Sequence, residues 1–161
     1  MRFILISILF IQALFGQYFG QNKVQYNEFD WNFIVSPNFN VYYYGDNHDL
    51  AIFTSKVAEE SLDQIGKHLR WRSQKPIKII VYTSHNDFQQ TNIVNVYMSE
   101  GIGGVTELYK NRIVIPFEGS YAQFKHVIHH ELVHAIINDM IYGGNVQGVL
   151  SGRVLLQVPL W

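Results

Sequence analysis

Apolar and polar positions change period several times along the chain, and each change marks an element. From Asn40 to Tyr44 the residues Val41, Tyr42, Tyr43 and Tyr44 are β-branched or aromatic and stop at Gly45, which predicts a strand. Asp46 and Asn47 are then suited to cap a helix. Leu50, Phe53, Val57, Leu62, Ile65 and Leu69 recur near three- and four-residue spacing, predicting one apolar helical face to about Arg70. Lys56, Glu59, Glu60 and Lys67 are expected to face water, and Pro76 stops any continuation. Ile77 to Thr83 is rich in β-branched and aromatic residues and predicts a buried central strand. Ser84 with Asp87 three residues on predicts a short capped helix to about Thr91. Gly101, Gly103 and Gly104 read as an ordinary turn.

Arg112 to Phe117 predicts another strand, with Pro116 near its end, a residue best tolerated at a sheet edge. Ser120 and Gln123 form a capping box for a main helix. Phe124, Val127, Ile128, Leu132, Ala135, Ile136 and Met140 spread over much of that helix, so it is expected to be largely buried, and Gly143-Gly144 to close it. The alternation of strands and helices predicts an α+β or mixed α/β domain with this last helix packed under a sheet.

Composition narrows the function classes. Of the 161 residues 48% are apolar and 16% charged, which is globular rather than disordered. A formal net charge of −1 argues against a partner held through nucleic-acid phosphates. With no cysteine, disulfides, thiolate metal sites and a thiol nucleophile are excluded. Arg2 followed by the apolar run Phe3 to Phe15 reads as an export signal over residues 1–20, the alternative being an uncleaved anchor. The remaining residues 21–161 are then one domain outside the cytoplasm. The apolar end from Val154 to Trp161 has no polar tail and reads as the cut end of a longer domain, the alternative being a small complete protein whose end docks into its core.

The stretch His129-His130-Glu131-Leu132-Val133-His134 contains H-E-x-x-H. On a helix, residues four apart share a face one turn apart. His130 and His134 could therefore hold one Zn2+ through neutral imidazoles. Glu131 between them would be the general base on a zinc-bound water. His126 also shares the face of His130, but no carboxylate stands between that pair. Asn138 is as well suited to a partner role beside the metal as to a plain surface position. A catalytic zinc normally takes three protein ligands. After His134 the chain has no histidine and a single acid, Asp139, which the helical period turns about 140° from His134. The third ligand is therefore missing from residues 1–161.

Gly103-Gly104-Val105-Thr106, Arg112-Ile113-Val114-Ile115-Pro116, Gly119-Ser120-Tyr121 and His130-Glu131-Leu132-Val133-His134 together resemble the peptidase MA-like family of gluzincin metallopeptidases, secreted or envelope proteins of bacteria. The resemblance covers Gly101 to Trp161. It implies a zincin-like α+β domain, zinc, and hydrolysis of peptide bonds in a peptide or protein substrate. His130 and His134 would be metal ligands and Glu131 catalytic. Pro159-Leu160-Trp161 looks like the segment before that family's Glu-Gly pair, whose glutamate is the third ligand. Arg112 to Phe117 would be the edge strand on which an extended substrate pairs. A secreted, periplasmic or cell-envelope location follows, with no membrane span in the mature domain. The competing expectation is a zincin-like scaffold without turnover.

Overall fold

The computed structural model describes residues 26–73, 75–93, 101–108 and 110–142. The expected signal, the Gly143-Gly144 stop and the apolar end lie outside the described residues. Chain order is β1 (Trp31–Val35), β2 (Phe39–Tyr44), α1 (His48–Leu69), β3 (Ile77–Tyr82), α2 (His85–Gln89), β4 (Val105–Glu107), β5 (Arg112–Pro116) and α3 (Tyr121–Tyr142). The strands form one open sheet in the order β1-β2-β3-β5-β4. Its centre, β2-β3-β5, is parallel, and β1 and β4 are antiparallel flanks.

Alternation along the strands sorts side chains onto two faces. Phe39, Val41, Ile77, Ile79, Val81, Ile113 and Ile115 point to one side, where α1 and α3 cover them. The helices contribute Leu50, Ala51, Val57, Ala58 and Ile65 from α1, and Phe124, Ile128, Leu132, Ala135 and Ile136 from α3. The opposite face carries Tyr42, Tyr44, Ile80, Tyr82, Arg112 and Val114. A smaller cluster around Tyr82, Phe88 and Val114, with Phe29 and Ile93, covers part of it.

Local chemistry explains the boundaries. The side chain of Ser84 accepts from the backbone N–H of Asp87 at 3.1 Å, capping α2 as its spacing predicts. The Ser120 hydroxyl likewise accepts from the N–H of Gln123 at 3.4 Å at the start of α3. Asn47 precedes α1 but does not cap it; its side-chain amide donates back to the Tyr44 carbonyl. Arg70 ends α1 in the left-handed conformation, φ 51°, and its N–H returns to the Gly66 carbonyl.

Several expectations are corrected. The strand from Arg112 is not an edge: β5 pairs with β3 on one side and β4 on the other, so no extended substrate can add to it. Pro116 is accommodated at its last position, where Phe117 rather than Pro116 donates to the Tyr82 carbonyl. Glu59 is half-buried rather than free in water. Its carboxylate accepts from the Ser36 hydroxyl, the Asn38 N–H and the Asn38 side-chain amide at 2.7, 2.9 and 2.7 Å, pinning the β1–β2 turn to α1. The far end of α3 is not buried all round, since Ile137, Met140 and Ile141 are exposed. Among the described residues the fold is a mixed α+β domain with an open sheet and three helices. The zincin-like label is corrected, because no group of metal-coordinating side chains is found among the described residues.

Candidate functional site

Helix α3 places the H-E-x-x-H residues by its periodicity. Ile128, Leu132, Ala135 and Ile136 take the core positions, which leaves His130 and His134 on the solvent side. The two rings meet there: Nε2 to Nε2 is 3.2 Å and the ring planes lie at 77°. That contact is a hydrogen bond in which one Nε2–H donates and the other Nε2 accepts.

Glu131 lies a step around the helix and is only 7% exposed. The Thr106 hydroxyl, on β4, donates to its Oε2 at 2.7 Å and is 3.0 Å from its backbone carbonyl oxygen. A buried carboxylate needs such a donor, since desolvation without one is costly. Oε1 accepts no hydrogen bond from the described residues.

The glycines before β4 serve close approach rather than an ordinary turn. A Cβ on Gly104 would meet Ile115 Cγ2 at 2.8 Å, Glu131 Cγ at 3.0 Å and Val127 Cγ1 at 3.1 Å. A Cβ on Gly103 would meet Val127 Cγ2 at 3.3 Å, whereas one on Gly101 would meet nothing within 4 Å. Bare backbone at 103–104 lets the chain lie flush on α3 and brings Thr106 onto Glu131. Sequence reasoning assigned Thr106 no role. The available signal was alternation in Val105-Thr106-Glu107, but three residues are too few to read.

The other candidates on the helix separate. His126 and His129 line a groove against α1 with Glu60 and Gln64, away from the core. Asp139 is buried, and its Oδ2 accepts from the Trp71 indole N–H at 2.9 Å, tying α3 to the segment after α1.

The expectation of a zinc peptidase is corrected by this arrangement. Among the described residues no group of three or more His, Asp or Glu side chains converges where a metal ion could be held. The imidazole pair supplies two nitrogen donors, one short of what a catalytic zinc takes. With it go the expectations built on zinc: the gluzincin resemblance, peptide-bond hydrolysis, the peptide or protein substrate, and the zincin-like scaffold. Among the described residues no helix is long and apolar enough to cross a membrane.

The ionisation shifts lie on the other side of the sheet. Burial raises the phenols of Tyr82 and Tyr44 above their ordinary value. Hydrogen bonds from Thr91 to Tyr82 and from Thr83 to Tyr44 oppose this, and the Asp87 charge adds to it in both. No protein-family model matches the chain, no curated protein matches it, and no solved structure matches it.

Proposed function

We propose that His130 and His134 form an acid–base pair on the solvent face of α3, acting on a small polar solute that reaches the helix beside β4, with Glu131 buried a step around the helix. The observation that carries this reading is the 3.2 Å contact between two exposed imidazoles. An imidazole that accepts and one that donates, side by side, can take a proton from an attacking water and return one to a leaving oxygen. The bond from Thr106 to the neighbouring Glu131 ties this part of the helix to the sheet. The buried apolar face of α3 fixes the backbone from which all three side chains project.

Hydrolysis of p-nitrophenyl acetate, a substrate on which free imidazole is reactive, tests the proposal. The full chain is expected to exceed the rate of an equal concentration of free imidazole. His130→Gln or His134→Gln should each lower that excess at least about a hundredfold, the lower end of the range of about 10²–10⁴ that general acid–base groups contribute. Glu131→Gln, which keeps an acceptor for Thr106, should lower it less. Circular dichroism would verify that each variant is folded. Rates in both histidine variants equal to the parent would overturn the proposal.

A further inference from the structure

On the sheet face opposite α1 and α3, the strands leave an open groove of about 500 Å³ between Trp31, Tyr42, Ile80, Lys78 and Arg112. That is within the range of small-molecule sites, about 300–1,000 Å³. Strand register builds it. Phe33, Tyr42, Ile80 and Val114 form one cross-strand row, of which Tyr42 and Ile80 face the groove and, with Trp31, make an apolar and aromatic floor. Asn40, Lys78, Arg112 and Glu107 form the next row, so two cations stand on neighbouring parallel strands.

Trp31 is 39% exposed and Phe33 59%, although Phe29, Tyr44 and Tyr82 pack edge-on against the Trp31 neighbourhood. Rings that large, left in contact with water, offer a flat surface for stacking. Charge completes the groove. The Arg112 Nε–H donates to Glu107, which neutralises one cation. Lys78 is exposed and makes no ion pair with the described residues. The row therefore holds two positive charges against one negative, and the surplus lies beside the aromatic floor.

We infer that this groove binds a small organic anion with a flat ring, the ring on Tyr42, Ile80 and Trp31 and the anionic group at Lys78 and the outer nitrogens of Arg112. Complementary charge decides the ligand class: a neutral flat molecule would leave the lysine unanswered, and a small inorganic anion would leave the rings uncovered. This site is separate from the α3 histidines, with the sheet between them, and stands or falls independently of their role.

Two probes that share a ring test it: naphthalene-2-sulfonate, which is anionic, and 2-naphthalenemethanol, which is neutral. Titrated into the full chain and followed by calorimetry, the sulfonate is expected to bind saturably and about tenfold more tightly than the alcohol. Lys78→Ala should remove that preference while leaving the alcohol unaffected, and Lys78→Arg should restore it. Trp31→Leu should weaken both probes alike. Equal affinity of the two probes for the parent chain, no saturable binding, or an undiminished preference in Lys78→Ala would each overturn the inference.

Discussion

The hydroxyl of Thr106 and the carboxylate of Glu131 meet at 2.7 Å, joining the outermost strand of the sheet to the helix that carries the histidine pair. Thr106→Val keeps the shape and removes the donor, leaving a buried carboxylate oxygen without its partner. The expected cost is about 1–3 kcal/mol, read as a lower urea midpoint at unchanged slope. Thr106→Ser should recover most of it. A Val variant as stable as the parent would show that solvent replaces the hydroxyl there.

Gly104→Ala should destabilise the fold by about 1–3 kcal/mol, the usual range for overpacking. The new methyl would press on Ile115, Glu131 and Val127 at once. Gly101→Ala, with open space around it, is the control and should be nearly neutral. Thermal unfolding of the two variants side by side checks the contrast, and equal melting temperatures would remove the close-approach argument.

Stability should decline in alkali through two phenols, the buried Tyr82 and the half-buried Tyr44. Tyr82 and Tyr44 hold their protons more tightly folded than unfolded, chiefly because burial disfavours the phenolate. Their contribution is complete below the ordinary tyrosine value of 10.0 and is lost as pH rises above it through the folded-state values. Urea midpoints at pH of about 9 and about 11 should fall less for Tyr82→Phe than for the parent. An identical fall would assign the alkaline loss to other groups.

Glu59→Ala removes the acceptor for three donors of the β1–β2 turn. Unpairing them should cost about 1–3 kcal/mol. The amide of Asn38 should also exchange with deuterium much faster, while amides at the centre of β3 speed up only in proportion to the loss of global stability. Unchanged protection at Asn38 would mean that the hairpin holds its own shape.

Long periodic segments were legible in the chain, and short or two-faced ones were not. The apolar stripe from Leu50 to Leu69 became α1, and the β-branched run at Ile77 became the central strand. β1 escaped because only Ile34 of its five residues packs into the main core, while Trp31, Phe33 and Val35 point outward. β4 escaped because three residues carry no period. The placement of Arg112–Pro116 at an edge failed for the same reason, since the strand that covers it is β4. The spacing of His130 and His134 puts them one turn apart, and their rings do touch. What spacing along one helix could not say is which side chains from elsewhere would converge there: Thr106 reached the neighbouring Glu131, and among the described residues no set of metal ligands formed.

The mixed pairing of the sheet sets the order in which it can assemble. Each outer strand meets its inner neighbour through a short connection, Ser36 to Asn38 on one side and Leu108 to Asn111 on the other. Those hairpins are local closures of the kind that form within microseconds. The parallel contacts of β3 with β2 and β5 span longer intervening segments, and such closures are slower. Two early corners waiting for a late middle make Ile79 and Val81 the positions where side-chain truncation should slow refolding most.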